Sequence, residues 1–298
     1  MMSLTLKQMR YFDALARQGH FGRAADACSI SQPALSMQIR EMERSLGTPL
    51  LERGVRGVAL TAFGEDVLKR LREVLRIVGE IEDTARAVRD RLAGRVRIGV
   101  IPTVAPYVLP RIVGGLTRRY PGLELQLRET VTSRLIDELA EGSLDTAIVA
   151  LPVGEPAFEE VPLFTESFVL VRPGAERGRP VPSPERLREM RLLLLEEGHC
   201  FRDQALSFCN MTATAPREMM DGSSLSTLVQ MVGAGLGVTL IPEMAVDIET
   251  RSADVSVDGF EAPGPERTIG MIWRRSNPLS EQLREMSDAV REAAGDGS

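Results

Sequence analysis

Apolar residues recur with helical spacing from the start of the chain. Leu6, Met9, Phe12, Leu15 and Ala16 share one face of a helix predicted over 6–17, and Gly19 ends it. A short second helix fits 21–27, where Ala24 and Ala25 are small enough for close helix crossing. Cys28-Ser29-Ile30 reads as a tight turn. Ser31 then supplies an N-cap, and Pro33 sits in the first turn of a third helix, where a missing N–H costs little. That helix runs to about Leu46 and stops at Gly47. Leu50 to Leu60 carries Gly54 and Gly57 between apolar ends and predicts a two-stranded wing. Thr61 caps a long helix behind it.

In that long helix Val67, Leu71, Val74, Val78, Ile81, Ala85, Val88 and Leu92 are spaced 4, 3, 4, 3, 4, 3, 4. This is a heptad seam with charged residues between, and it predicts pairing with a second copy of the chain. A single helix lying on its own domain would need a wider apolar stripe. After Gly94 the pattern changes to alternating strands and helices. Strands are predicted at 96–101, 123–129, 146–151, 191–195, 238–241 and 268–273. Helices are predicted at 104–120, 133–141, 202–211, 224–234 and 279–294, so this part is an open α/β sheet. The domains expected are a head at 1–62, a linker helix at 63–93 and an effector part at 94–298.

Charge sharpens this division. The net charge of −6 argues against nucleic acid only when taken whole. Residues 1–62 hold eight Lys and Arg against five Asp and Glu, 63–93 hold seven of each, and the remainder holds 21 against 30. A basic head on an acidic body fits a DNA-binding module joined to a regulatory one. No apolar run is long enough to span a bilayer, and the start of the chain is too polar for a signal peptide, so a cytoplasmic location is expected. Three cysteines, Cys28, Cys200 and Cys209, are too few for a disulfide scaffold.

The first three helices form a helix-turn-helix in which Leu35, Ile39, Met42 and Leu46 face inward. Gln32, Pro33, Ser36, Met37 and Arg40 lie outward near the start of the third helix, the position of a DNA-recognition helix. Gln and Arg there suit purine edges in the major groove, and Arg53 and Arg56 in the wing suit phosphates. Ala24-Ala25, Ser31-Gln32-Pro33-Ala34-Leu35-Ser36, Ile39-Arg40, Glu43, Leu46-Gly47, Leu50-Leu51 and Arg53 resemble the LysR-type transcription regulators. Two positions depart from the family pattern: Thr61-Ala62 replaces Thr-Pro at the linker start, and Gly54 stands where a hydroxyl residue is common. The resemblance implies a winged head, a coiled-coil linker and a periplasmic-binding-protein-like effector domain of two α/β subdomains, about 94–165 with 268–298, and about 166–267. It also implies a homodimer and a dimer-of-dimers tetramer on double-stranded promoter DNA, with RNA polymerase as a partner.

The segment from Glu196 to Cys209 concentrates the candidate chemistry: two of the three cysteines and one of only two histidines. Cys200 falls at a strand-to-helix turn, where helix N–H groups, His199 and Arg202 would favour a thiolate open to electrophiles such as peroxide. Spacing leaves two other readings open. The simplest is a pair of buried structural thiols beside a hydrogen-bonded histidine. A zinc site of His199, Cys200 and Cys209 lacks a fourth ligand nearby. No cofactor or metal is expected. A thiol peroxidase or cysteine hydrolase using Cys200 would leave the DNA-binding head without a purpose, so the chain is not expected to be an enzyme.

Within the LysR-type family, the chain resembles the hydrogen-peroxide-sensing members. The matching residues are Gly198-His199-Cys200-x-Arg202-Asp203-Gln204 with Phe208-Cys209, Ile101-Pro102-Thr103-Val104-x-Pro106-Tyr107, Glu129-Thr130-Val131-Thr132, and Arg267-Thr268-Ile269-Gly270. Phe201 stands where Leu is common. This resemblance implies Cys200 as the peroxidatic thiol and Cys209 as its resolving partner. It implies a peroxide pocket of Thr103, Thr132, His199, Arg202 and Asp203, with Arg267 supporting the thiolate. It also implies a disulfide reductant of glutaredoxin or thioredoxin type. The alternative within the family is a regulator gated by a bound metabolite, with the cysteines incidental. Nine helical residues separate Cα atoms by roughly 13 Å, and a disulfide needs less than about 7 Å. A bond between Cys200 and Cys209 therefore requires that helix to unwind.

Overall fold

The computed structural model describes residues 4–52, 58–87, 92–209 and 221–295, with backbone only at 82, 83, 85–87 and 221. The chain divides into two compact units, Met1–Ala85 and Arg86–Ser298.

In the first unit, Thr5 and Gln8 cap helix α1 (Leu6–Gln18) reciprocally: Thr5 Oγ1 accepts the Gln8 N–H at 3.2 Å, and Gln8 Oε1 accepts the Thr5 N–H at 3.1 Å. Helix α2 (Phe21–Ala27) follows, then α3 (Gln32–Leu46), which ends at Gly47 in the left-handed conformation (φ 71°). Phe12, Leu15, Leu35, Ile39 and Met42 are fully buried between the three helices. Leu51 and Leu60 form an antiparallel bridge at the base of the expected wing. The Glu43 carboxylate accepts the Leu50 N–H at 2.8 Å, tying α3 to that base. The wing tip, with Arg53 and Arg56, lies outside the described residues.

Helix α4 (Ala62–Ala87) opens under Thr61, whose Oγ1 accepts the Gly64 N–H at 2.9 Å. A Cβ on Gly64 would lie 2.2 Å from the Leu50 carbonyl oxygen, so this crossing needs glycine. The helix differs from the expected seam. Leu68 and Leu71 are buried in the head's own core, with Val67 and Leu75 packed against them. Val74, Ile77 and Ile81 are exposed, and Val78 is half-buried. The cause is geometric. The apolar positions make two stripes roughly a third of a turn apart, one facing the head and one facing outward. Leu71 belongs to the inner stripe, and Ile77, which a strict heptad omits, belongs to the outer one. Val88 lies outside the described residues.

In the second unit, strands β1 (Gly94–Val100), β2 (Leu123–Glu129) and β3 (Thr146–Leu151) pair in parallel through crossover helices α5 (Ala105–Arg119) and α6 (Thr132–Ala140). Strand β4 (Phe158–Pro173) comes next, then α7 (Pro184–Leu187), β5 (Leu194–Leu195), α8 (Cys200–Phe208), β6 (Asp221–Gly222) and α9 (Leu225–Gly233). The chain continues as β7 (Thr239–Pro242), α10 (Val246–Glu249), β8 (Val255–Gly259), β9 (Glu266–Arg274) and α11 (Ser280–Gly295). The main sheet runs β2-β1-β3-β9-β4-β7, and β8 also pairs with β4. Strand β4 serves two halves. Its residues 158–167 pair with β9, and its residues 168–173 pair with β7 and β8. One buried cluster surrounds β1, β3 and β9, and a second surrounds the end of β4 with α8 and α9.

The sequence pattern predicts no strand between 151 and 191, yet β4 is there. Glu159, Glu160, Pro162, Glu166 and Ser167 break its alternation, and the register shifts between Pro162 and Phe164. Among the described residues, no helix is long and apolar enough to cross a membrane.

Candidate thiol cleft and DNA-facing helix

On α3, Gln32, Pro33, Met37 and Arg40 are exposed, Ser36 is half-buried, and Leu35, Ile39 and Met42 are buried. The outward residues at its N-terminal end thus stand free for a partner surface.

The thiol cleft forms where three segment ends meet. Ile101-Pro102-Thr103 follows β1, Val131-Thr132 opens α6, and His199-Cys200-Phe201 opens α8. The cleft is narrow, with about 150 Å3 of empty space when the solvent at its mouth is included. Gly198 (φ 96°) makes the turn from β5 into α8, in a conformation that side chains with a Cβ resist. Cys200, half-buried, is thereby the first residue of α8, among N–H groups with no partner inside the helix.

The polar groups around Cys200 differ in kind. Thr132 Oγ1 is buried and has no hydrogen-bond partner among the described residues. The Thr103 hydroxyl accepts from Arg267 Nη1 at 2.8 Å, which leaves its own O–H to donate. Arg267 Nη2 also donates to the Thr103 carbonyl at 3.0 Å, and Arg267 pairs with Glu166 at 2.6 Å. Burial pushes the Glu166 carboxyl up, and Arg267 opposes it. His199 is 5% exposed, and burial pushes its imidazole below the ordinary value against an opposing pull from Glu196. It therefore faces the cleft neutral at pH 7.

Arg202 and Asp203 do not line the cleft. The buried Arg202 guanidinium donates to the Leu195 carbonyl at 2.7 Å, fastening the first turn of α8 to β5, and Asp203 is exposed. Arg267 does not itself line the cleft; it touches Thr103 and the Phe201 ring, which do. At the far end of α8, Cys209 is fully buried, and burial pushes its thiol up to about 11 with Arg188 opposing. Arg188 Nε donates to the Cys209 carbonyl at 2.6 Å. All three cysteines are free thiols. Cys28 is half-buried against the head's core, and its thiol is also raised, by burial and then by Asp13.

Residues 6–65 match the bacterial regulatory helix-turn-helix family of the lysR type, and residues 89–295 match the LysR substrate binding domain. A probable hydrogen peroxide-inducible genes activator of Streptomyces viridosporus is 44% identical, over 98% of this chain and 95% of the relative. The chain belongs to the LysR family, in its OxyR branch. Two solved OxyR structures are also similar. A full-length Pseudomonas aeruginosa OxyR with a cysteine-to-aspartate substitution matches with a TM-score of 0.75 at 36% identity, covering 99% of this chain and 97% of that one. A Corynebacterium glutamicum OxyR with a cysteine-to-serine substitution and H2O2 bound matches with a TM-score of 0.65 at 33% identity, over 98% and 94%.

Two features of this LysR-family chain carry no role in the sequence reading. The Glu249 carboxylate, 8% exposed, accepts from Tyr107 Oη at 2.6 Å and from Ser226 Oγ at 2.5 Å, joining residues far apart in sequence. Gln204 lies one turn beyond Cys200 on the same face of α8, and its Oε1 is buried without a partner among the described residues. The sequence signal for Gln204 is its place in the thiol motif.

Proposed function

We propose that the chain is a hydrogen-peroxide-sensing transcriptional activator in which Cys200 is the peroxidatic thiol and Cys209 the resolving one. The observation that carries this is the cleft at Cys200. Its walls stand close together and carry Thr103, Thr132 and His199 beside the thiol, which suits a ligand of very few atoms. The orphaned Thr132 hydroxyl, the Thr103 O–H and a neutral His199 offer donors and acceptors to a small, doubly polar ligand. Hydrogen peroxide has that chemistry.

The Cys200 thiolate attacks one peroxide oxygen, the O–O bond breaks, and water leaves after proton uptake. The sulfenic acid that results is attacked by the Cys209 sulfur, which forms the disulfide and releases a second water. Two thiols and one peroxide thus become one disulfide and two waters. Cys209 cannot reach Cys200 while α8 is helical, so unwinding of α8 is the structural signal. A dithiol reductant of glutaredoxin or thioredoxin type resets it by exchange, in the reducing cytoplasm. The oxidation is stoichiometric, so the chain acts as a switch and not as an enzyme.

On the DNA side, Gln32, Ser36, Met37 and Arg40 read base edges of promoter DNA while Pro33 starts the recognition helix and Arg53 and Arg56 hold phosphates. The outward stripe of α4 (Val74, Ile77, Ile81), with Val67, Val78 and Val88 at its margin or beyond, pairs two copies. Pairs of dimers assemble on the promoter and engage RNA polymerase. The head is assigned to 1–62, the linker to 63–93 and the sensing part to 94–298.

The test is peptide mapping of thiols with a parallel promoter footprint, with and without peroxide. The expected result is a Cys200–Cys209 disulfide and a changed footprint. An unmodified Cys200, or a bridge to Cys28, overturns the mechanism.

A further inference from the structure

Phe201 follows the reactive thiol and is 3% exposed. Its ring touches two strands at one place. The Arg267 guanidinium carbon lies 5.2 Å from the ring centroid, within cation–π range, and the Phe168 ring centroid lies 4.8 Å away, tilted by 54°. Arg267 and Phe168 mark the point where β4 changes partners. Glu166 pairs with Arg267 on β9, and Phe168 is the first residue of β4 to pair with β7.

The Arg267 side chain is fully buried. A buried guanidinium is held only where each side of it is covered. Glu166 covers one edge, the Thr103 hydroxyl and carbonyl cover another, and the negative face of the Phe201 ring covers a third. Unwinding α8 withdraws that ring, because Phe201 is the second residue of the helix.

We propose that Phe201 is a positioning residue: its ring holds Arg267, and through it the Thr103 hydroxyl, in place for peroxide, and its withdrawal when Cys200 and Cys209 join passes the change to β4 and β9. This rests on the peroxide reading above and adds a relay to it. A leucine at 201 fills the core but offers no ring face.

The test uses the full-length chain. In a Cys209→Ser background, the rate of Cys200 oxidation by peroxide is followed by trapping the sulfenic acid with a dimedone-type reagent. Alkylation of Cys200 by iodoacetamide is followed in parallel. Phe201→Leu should slow peroxide oxidation about tenfold and leave alkylation within about twofold, because only peroxide uses Thr103. Pentafluorophenylalanine placed at 201 keeps the ring and inverts the charge of its face, and should slow peroxide oxidation likewise. Amide exchange is the second readout. In the reduced protein, Phe201→Leu should speed exchange at 165–168 and 266–268 about tenfold, and in the otherwise unsubstituted chain, oxidation should do the same.

Oxidation at the parent rate with unchanged exchange in the leucine variant overturns the relay. A fluorinated ring that behaves as phenylalanine, beside a slow leucine variant, overturns the role of the ring face. If peroxide leaves Cys200 unmodified in the parent, the peroxide reading fails, and exchange in the reduced variants still decides whether Phe201 holds Arg267.

Discussion

The two ends of α8 carry the same side chain in opposite settings. At the N-terminal end, Cys200 is half-buried beside an orphaned hydroxyl, a freed O–H and a neutral imidazole. At the C-terminal end, Cys209 is wholly buried in apolar surroundings, with its carbonyl clamped by Arg188. In the mechanism proposed above, unsatisfied polar neighbours set the thiol that would meet the oxidant apart from the one that would resolve it. On that proposal, the burial of Cys209 would hold it back until the helix gives way. Cys28 shows a third case: half-buried, raised by burial, and packed against the head's core.

The sharpest break of this contrast is Cys200→Ser, which should abolish the peroxide response of a promoter reporter and the disulfide peptide together. A surviving response would place the sensor elsewhere. Next is Thr132→Val, which removes the orphaned hydroxyl. Peroxide oxidation of Cys200 should fall roughly tenfold, while thermal stability holds or rises by up to about 1 kcal/mol, because an unsatisfied buried hydroxyl is lost. A variant that loses rate and stability together would make Thr132 a packing residue.

The pH dependence tests the other end of α8. The Cys209 thiol is raised from 9.0 to about 11 in the folded chain, so the folded state binds more protons between those values. Stability should therefore be complete below about pH 9 and fall as pH rises through 11, and Cys209→Ser should remove that part of the alkaline loss. Denaturant titrations at pH 8, 9.5 and 11 measure it. The smallest effect is expected for Cys28→Ser, with an unchanged redox response and stability altered by about 1 kcal/mol or less. A redox shift there would make the third thiol part of the switch.

The head was the most legible part of the chain. Ser31, Pro33 and Gly47 mark the ends of α3 by local chemistry alone, and the structure starts and stops the helix there. The order of the thiol segment, strand, turn, then helix, was equally local, but the helix runs Cys200–Phe208 and not 202–211. What needed the folded chain was long-range. Strand β4 hides because glutamates occupy its half-buried positions 159, 160 and 166 and a proline interrupts it, so its partners and not its pattern make it a strand. Arg202 has a side chain long enough to reach either the cleft or the Leu195 carbonyl, and spacing does not choose between them. The Tyr107–Glu249 contact joins residues 142 apart, and no window along the sequence brings them together. Leu71 turns inward because the head offers it a core, which periodicity alone does not register.

Strand β4 also determines what kind of motion the sensing unit can make. Its first part is laced to β9 and its last part to β7 and β8, so the two halves share one spar. Each ladder lies within one half, so the halves can move against each other by bending or torsion at the Ser167–Phe168 step without breaking either. The thiol cleft takes Thr103 and Thr132 from one half and His199 and Phe201 from the other, so its width follows the set of that strand. Sensitivity to the oxidant is then partly a matter of torsional stiffness. Residues remote from any sulfur, such as Pro162 at the irregular step of β4, become places where that stiffness is set.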